Sequence, residues 1–276
     1  MSNSQDLIQN STLSGMANIS NLFAESLFLY SNYIHKSDRP RDNPALLAFI
    51  NEFVSAGLHK KCTGLYYLAS PDGSLQHMQY SIFGDNEITI WGSPAINNYG
   101  IQDKFGTDLY DGQMIDCSKN DLCLVFVMSK TSTTGFDWGG EDEVNHVHSF
   151  SSAGNVNAEN FNNVIFKWDT NKHNPAITKQ DDPQEGKGVY VIHINKTSLQ
   201  YRHDKLVIDK EVAPSYANFC PSLLKYHAEK DNFKFPSDGT MKFYATFSNG
   251  GLGQNGLTQD EIAQIQKIFS DYQSLL

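Results

Sequence analysis

A continuous apolar run near the middle of the chain sets the strongest limit on its architecture. The run LCLVFVMS covers residues 122–129 and has a polar residue only at its last position. It is too short to predict a helix, and its lack of alternation is typical of a strand whose two faces are both buried. We therefore predict a doubly buried strand at this point of the chain.

Seven further segments are rich in β-forming residues and are separated by polar loops rather than by regular helices. They are CTGLYYLA, LQHMQYSIF, DNEITIWG, NVIFKWD, GVYVIHINK, YRHDKLVID and TMKFYATFS. The turn signal SPDGS joins the first two, so residues 61–84 are predicted to form a β-hairpin. Residues 93–121 and 130–160 are predicted to be loops, and SYANFCPSLLKYHAEK a helix interrupted by Pro221.

Helices are predicted at both ends of the chain. Residues 5–34 carry apolar side chains at helical spacing, and a second helix follows Asn43 and Pro44 and stops at Gly57. In the last helix, Thr258 and Glu261 have the spacing of a capping box. We expect an α+β, mainly β chain with an antiparallel β-sandwich or jelly-roll-like core between these helices.

The expected organisation is a single domain over residues 1–276. Residues 1–57 would form an N-terminal helical arm, residues 58–249 the β-sandwich core, and residues 250–276 a hinge and the C-terminal helix. The hinge prediction rests on GGLGQNG, which lacks the Lys-Ser/Thr ending of a phosphate-binding loop.

The net charge of the chain limits its partners and its location. The formal charge is −10 at pH 7, which argues against direct binding to nucleic acid or to anionic membranes. No apolar run reaches the roughly 18 residues of a membrane span, and the N-terminus lacks a signal-peptide pattern. We therefore expect a cytoplasmic protein without a membrane partner, although secretion by a signal-independent route stays open.

Cysteine and histidine spacing gives no sign of a metal site. The four cysteines include no Cys-x-x-Cys pair, so free thiols are expected. Two histidines stand near an acidic stretch in the segment EDEVNHVH, where metal binding is conceivable, but we favour a solvated acidic loop. The residues concerned are Glu141, Asp142, Glu143, His146 and His148.

One candidate enzyme site lies in the predicted hairpin. Cys62 and His77 would face each other across its two arms, and a cysteine beside a histidine can become a nucleophile. The arrangement resembles that of the glutamine deamidases of the cytotoxic-necrotizing-factor group. The alternative function is therefore a cysteine-nucleophile toxin or hydrolase that uses Cys62 and His77, against an ordinary strand cysteine and a surface histidine.

A second candidate enzyme site is distributed along the chain. ADP-ribosyltransferase toxins combine an early arginine, a Ser-Thr-Ser-like strand and a glutamate pair. The residues that follow this order are Arg39 or Arg41, Ser151, Ser152 and Glu211, with Asp209 where the first glutamate would stand. Each piece is common by chance, and we favour ordinary loop and strand positions.

A structural role is the leading hypothesis. Thirteen tyrosines and seventeen phenylalanines supply wide, rigid contact surfaces, and the terminal helices could contact neighbouring copies. The hairpin sequence LYYLASPDGSL also resembles the cypovirus polyhedrins, which crystallise around virus particles in insect cells. The order of an N-terminal helix, LCLVFVMS, GVYVIHIN and MKFYATFSNG is similar too.

The polyhedrin resemblance implies a β-sandwich core and a trimeric unit in a lattice cross-linked by the N-terminal helix. It further implies cytoplasmic occlusion bodies that enclose virus particles and dissolve in alkali. Nucleotide binding is implied by the family alone, and no residue is assigned to it. The leading prediction is thus a self-assembling structural protein with no catalytic residue and no certain cofactor.

Overall fold

A computed structural model shows the fold of the chain. The residues that it describes are 4–41, 43–102, 108–111, 115–116, 121–133, 135–141, 147–152, 164–169, 177–183, 186–195, 198–212, 218–219, 222–227, 234–248 and 256–275.

Helices stand at both ends of the described chain, and one short helix lies within its β-rich part. They are α1 (Ser4–Ser37), α2 (Pro44–Ser55), α3 (Gln76–Gln79) and α4 (Gln259–Tyr272), with a 3₁₀ turn at Leu58–Lys60. The strands are β1 (Cys62–Tyr67), β2 (Ile88–Trp91), β3 (Ala95–Asn97), β4 (Gly100–Gln102), β5 (Asp108–Asp111), β6 (Ile115–Asp116), β7 (Leu122–Lys130), β8 (Trp138–Glu141), β9 (Val147–Phe150), β10 (Val164–Asp169), β11 (Ile177–Thr178), β12 (Gly188–Asn195), β13 (Ser198–His203), β14 (Leu206–Glu211), β15 (Asn218–Phe219), β16 (Ser222–Leu223), β17 (Lys225–His227), β18 (Lys234–Pro236) and β19 (Thr240–Ser248).

The strands form two large, mostly antiparallel sheets. The first, here the main sheet, has the order β14-β13-β12-β7-β19-β4-β3, and β1 also pairs with β19. The second sheet has the order β11-β10-β9-β8-β16-β5-β2 and includes the β17–β18 pair. A short pair, β15 and β6, stands apart. The predicted mainly β, sandwich-like fold with terminal helices is therefore confirmed.

Aromatic side chains fill the space between the two sheets. Phe126 of the main sheet stacks on Phe150 of the second sheet, with ring centroids 4.4 Å apart. The Trp138 indole nitrogen donates to the Tyr244 hydroxyl at 3.3 Å. Because alternate residues of β7 point into this layer, its even-numbered apolar side chains are buried here.

Three helices cover the other face of the main sheet. Phe49 and Phe53 of α2 meet Phe269 of α4 over Phe243 of β19, with ring centroids 5.1–5.7 Å apart. The odd-numbered residues of β7, among them Val125, pack into this second cluster. Residues 122–128 are consequently all buried, as predicted for a strand covered on both faces.

The predicted helix ends are also confirmed. The Asn43 side chain accepts a hydrogen bond from the Leu46 backbone at 3.0 Å, and Pro44 occupies the first helical position of α2. Gly57 follows α2 in the left-handed conformation, with φ of +71°. Thr258 and Glu261 form both hydrogen bonds of a capping box.

The predicted hairpin over residues 61–84 is wrong. Strand β1 pairs with β19, whose sequence lies about 180 residues away, and residues 76–79 form the helical turn α3. The turn predicted at SPDGS does form, because the Gly73 backbone N–H donates to the Ser70 carbonyl at 3.2 Å. The chain then turns along a helical path, which buries Met78 in the core between the sheets.

Two loop predictions and one helix prediction also need correction. Strands β3 to β6 lie within residues 93–121, and β8 and β9 lie within residues 130–160. The described part of SYANFCPSLLKYHAEK forms β15, β16 and β17 instead of a helix. These strands have two to four residues each, and such short segments carry little periodic pattern. Residues 250–255 of the predicted hinge lie outside the described part.

Among the described residues, no helix combines the length and the apolar character needed to cross a bilayer.

Candidate functional site

Cys62 lies at the start of β1 in a largely apolar setting. Its sulfur is 3.6 Å from the Thr246 carbonyl oxygen of β19. Burial raises the pKa of the Cys62 thiol well above its ordinary value. The thiol is therefore protonated at neutral pH, which does not favour a nucleophile.

His77 is buried beyond the other end of β1. Its Nε2 atom donates to the Asp38 carbonyl oxygen at 3.0 Å. Its Nδ1 atom lies 2.9 Å from the Ser70 hydroxyl and 3.2 Å from the Asp72 carboxylate. Both ring nitrogens are thus engaged in local contacts that join the α1–α2 linker to the 70–74 turn.

The structure does not bring Cys62 and His77 together. Cys62 begins β1, whereas His77 contacts residues beyond Tyr67, where β1 ends. The five residue steps of that strand alone span about 16 Å. A direct hydrogen bond needs about 3 Å, so the predicted cysteine–histidine pair is not formed.

The residues suggested for ADP-ribosyl transfer are also far apart. Arg39 contacts the end of β1, and Glu211 ends β14 at the opposite edge of the main sheet, about five strand spacings or roughly 24 Å away. The Ser152 backbone and hydroxyl both donate to the buried Asp137 carboxylate at 2.6 Å, and Ser151 donates to the Gly135 carbonyl. These serines therefore hold a loop in place.

The acidic and histidine residues near position 145 lie outside the described part of the chain, as do the side chains of Glu141 and His148. Where side chains are described, no group of three or more His, Cys, Asp or Glu residues is arranged to hold a metal ion.

One unusual polar group in the described structure is the buried Arg39 guanidinium. Only 7% of this residue is exposed. Its Nε donates to the Tyr33 hydroxyl at 2.9 Å and to the His77 carbonyl at 2.8 Å. Its Nη2 donates to the carbonyls of Tyr67 and Ala69 at 2.7 and 2.8 Å. All these acceptors are neutral.

Aromatic rings complete the surroundings of Arg39. Its guanidinium carbon lies 4.3 Å from the ring centroid of Tyr67 and 5.8 Å from that of Tyr33. Burial raises the pKa of both tyrosines, and the arginine charge opposes that rise. Both hydroxyls therefore stay neutral near pH 7.

A cavity of about 450 Å³ lies beside Arg39, at the C-terminal end of α1. We name it the α1 cavity. Its apolar walls include Leu27, Tyr30 and Ile34. His35, Asp38, Arg39 and Arg41 also line it, so two guanidinium groups face one carboxylate. This balance is the reverse of that of the whole chain.

Arg39 was predicted only as an alternative to Arg41 for the early arginine of the ADP-ribosyltransferase order, and its burial was not predicted. The sequence feature related to this burial is the presence of aromatic residues that can surround the guanidinium. Tyr33 lies six residues earlier, and the strand sequence LYY supplies Tyr67.

A buried histidine–aspartate pair, which was not among the predicted sites, lies at β13. The Nδ1 atom of His203 lies 2.7 Å from the Asp182 carboxylate, which also accepts a hydrogen bond from the Tyr201 hydroxyl at 2.7 Å. The His203 ring stacks on Tyr190 at 4.0 Å. This cluster ties the loop at Asp182 to β13. Its only sequence signal is the i, i+2 spacing that places Tyr201 and His203 on one strand face.

The outer side of α1 presents apolar side chains to solvent. Residues at 24, 27, 28, 31 and 35 follow helical spacing and lie on one stripe, which we name the α1 outer face. They are Ala24, Leu27, Phe28, Ser31 and His35, and all are exposed. Phe28 is 65% exposed and Leu27 is 45% exposed. The stripe contains no carboxylate and ends beside the cationic rim of the α1 cavity.

A second exposed stripe lies on β14, at the edge of the main sheet. Leu206 and Ile208 pack against the core, so the alternate residues Val207, Asp209 and Glu211 point outwards. We name these three the β14 outer face. Val207 is 46% exposed and is followed on the same face by two carboxylates. Glu211 and Asp209 also line a cavity of about 320 Å³.

Comparisons with known proteins do not assign the chain to a family. No protein family model matches it, and no curated protein matches it. Among solved structures, it is similar to domain 4 of AbnA, an extracellular GH43 arabinanase from Geobacillus stearothermophilus. That similarity has 11% identity and a TM-score of 0.45 over 75% of this chain and 98% of that domain.

Two further solved structures are similar over part of their length. One is a Trypanosoma rangeli sialidase mutant with trans-sialidase activity, at 9% identity and a TM-score of 0.49, over 83% of this chain and 39% of that one. The other is a GH54 α-L-arabinofuranosidase mutant, at 12% identity and a TM-score of 0.39, over 75% of this chain and 48% of that one. At these identities the likeness concerns the fold alone.

Proposed function

We propose that this chain is a structural protein that assembles with copies of itself. In the proposed contact, the α1 outer face of one copy packs on the β14 outer face of the next. The observation that carries the proposal is the complementarity of these two stripes. Leu27 and Phe28 would cover Val207, while His35 and Arg41 would approach Asp209 and Glu211.

The dimensions of the two stripes agree. From Phe28 to His35, seven helical steps span about 10 Å. From Val207 to Glu211, four strand steps span about 13 Å. Each stripe therefore places its apolar group and its charged groups at comparable separations.

Charge favours this contact over a symmetric one. Each copy carries a net charge of −10, so two copies repel each other over most of their surfaces. The α1 outer face lacks carboxylates and lies beside cationic residues, and it would meet an acidic stripe. This pairing reduces the repulsion between copies, whereas two β14 faces would increase it.

A contact between two different faces also supports assembly without a fixed size. After pairing, one copy keeps a free β14 face and the other keeps a free α1 face, so further copies can add unless a ring closes. Such propagation suits a protein whose role is to build a matrix.

The finer form of the proposal is a crystalline occlusion body in the cytoplasm, built from trimeric units around virus particles. It rests on the polyhedrin resemblance of LYYLASPDGSL and of the order of segments. Imaging of cells that make the protein tests it. Crystals that persist at neutral pH and dissolve above about pH 10 are expected, and a chain that stays monomeric at neutral pH would contradict it.

Sedimentation velocity of the purified chain tests the contact itself. We expect concentration-dependent species larger than a monomer for the natural sequence. Phe28→Glu should sediment as a monomer, because it places a carboxylate against the acidic β14 face. Tyr99→Glu is the matched control, since Tyr99 is an aromatic residue with 66% exposure outside both faces. Equal self-association of Phe28→Glu and Tyr99→Glu would contradict the proposal.

A further inference from the structure

We propose that the α1 cavity is a binding site for a small organic anion, with Arg39 as its innermost contact. This inference goes beyond self-assembly and does not depend on it. It begins with the charge on Arg39. Within the described part of the chain, no carboxylate forms an ion pair with this guanidinium. A charge that is 93% buried and contacts only neutral acceptors retains much of its desolvation penalty.

The hydrogen bonds of Arg39 leave one edge of the guanidinium available. Nε and Nη2 together make four hydrogen bonds to groups inside the protein. Nη1 makes none to the residues that the structure describes, and Arg39 lines the cavity. An anionic oxygen in the cavity would supply both the missing acceptor and the missing counter-charge.

The side chains around Arg39 are held in a fixed arrangement. Stacking on Tyr67 and the four hydrogen bonds restrict the guanidinium to one orientation. His77 contributes twice, because its carbonyl accepts from Arg39 and its ring donates to the carbonyl of the adjacent Asp38. An anion would therefore meet a preorganised donor, which reduces the entropy lost on binding.

The remaining walls define the class of ligand. Arg41 adds a second guanidinium at the rim, where Asp38 is the one carboxylate of the lining, and Leu27, Tyr30 and Ile34 provide apolar surface. A volume of about 450 Å³ suits a small molecule rather than a single inorganic ion. The cavity thus matches a carboxylate or a phosphate group attached to a compact apolar body.

Isothermal titration calorimetry with defined probes tests the site. The probes are benzoate, phenyl phosphate, inorganic phosphate and the uncharged benzamide. We expect saturable binding of benzoate, phenyl phosphate or both, and the tighter of the two identifies the preferred acid group. Inorganic phosphate should bind at least about tenfold more weakly because it lacks the apolar body, and benzamide should not bind because it lacks the charge.

Two variants locate the binding on the cavity. Arg39→Lys keeps the positive charge but loses the planar guanidinium with its paired N–H donors. The fold of this variant is checked by circular dichroism. Arg41→Gln changes an exposed residue and so preserves the fold even where Arg39→Lys does not. Each should weaken binding by about tenfold, the loss expected for one charge-assisted hydrogen bond. Lys205→Gln, at the exposed β13–β14 turn, is the matched control and should have no effect.

The outcomes separate this proposal from self-assembly. The titrations are repeated in Val207→Glu, which leaves the α1 cavity intact and removes the proposed contact between copies. The site is supported if an anion binds to the natural sequence or to Val207→Glu and if Arg41→Gln weakens that binding. The absence of saturable binding by every anion in both proteins would overturn it. So would affinities that Arg41→Gln leaves unchanged, or equal affinities for inorganic phosphate and phenyl phosphate.

Discussion

The Nε2 atom of His77 lies 3.0 Å from the carbonyl oxygen of Asp38 and donates a hydrogen bond to it. Asp38 directly follows α1 and has a left-handed backbone, with φ of +54°. This hydrogen bond joins the end of α1 to α3 across 39 residues of sequence. It therefore fixes the position of the chain just before Arg39.

Loss of the His77 ring should destabilise the protein. His77→Ala removes the donor to Asp38 and leaves a gap among buried groups, so we expect the free energy of unfolding to fall by about 2–4 kcal/mol. Urea denaturation followed by tryptophan fluorescence measures this change. Lys205→Ala at an exposed turn is the control and should change stability by less than about 0.5 kcal/mol. Equal stabilities of the two variants would contradict the role assigned to His77.

Gly100 is a position where a single methyl group should be poorly tolerated. Its φ is +133°, and a Cβ atom there would lie 2.0 Å from the Met241 carbonyl oxygen of β19. Gly100→Ala should therefore lower the free energy of unfolding by about 3 kcal/mol or more. Gly186→Ala is the matched control, because a Cβ atom at that position meets no atom within 4 Å. A similar melting temperature for both variants would show that β4 does not pack so closely on β19.

The Cys62 thiol should react slowly in the folded protein. Burial raises its pKa, so little thiolate forms at pH 8. We expect iodoacetamide to label Cys62 more than about tenfold more slowly in the native protein than in urea, as measured by peptide mass spectrometry. Labelling of native Cys62 at or above the unfolded rate would restore the nucleophile hypothesis.

Alkaline pH should weaken the fold through its buried tyrosines. Burial raises the pKa of Tyr190 and Tyr201, and nearby carboxylates add to the rise. A pKa that is higher in the folded state means that the contribution to stability is complete below the unfolded value of about 10. It is lost as the pH rises above that value, by up to about 1.4 kcal/mol per pH unit for each tyrosine.

Urea unfolding between pH 8.5 and 11 measures this loss, and Tyr190→Phe separates one tyrosine from the rest. Its stability should decline less steeply with pH than that of the natural sequence, because it lacks one titrating group. Its hydroxyl contact to the Gly186 carbonyl is also lost, which lowers stability equally at every pH. An identical slope in both proteins would contradict the assignment to Tyr190.

Local sequence patterns predicted the elements that depend on local physics. Strand β7 has an apolar run, α2 has Asn43 and Pro44 at its start, and α4 has its capping box. The pairing of β1 with β19 was not predictable in this way. It depends on contacts such as that of Tyr66 with Tyr244, whose positions are far apart in sequence, while SPDGS favours a local hairpin that the chain does not form.

The candidate site was predictable only in fragments for the same reason. Arg39 stands in a charged segment that is typical of an exposed linker, and its burial follows from tertiary contacts with β1 and α3. The exposure of Phe28 was not predictable either, because helical spacing shows which residues share a face but not which face is covered.

The proposed assembly is tested most directly by mixing two variants in sedimentation velocity. Phe28→Glu keeps the β14 outer face, and Val207→Glu keeps the α1 outer face, so each variant alone should be monomeric. An equimolar mixture should form a 1:1 dimer and nothing larger, because the one intact pair of faces joins one copy of each. A mixture that remains monomeric, or single variants that still assemble, would contradict a contact between α1 and β14.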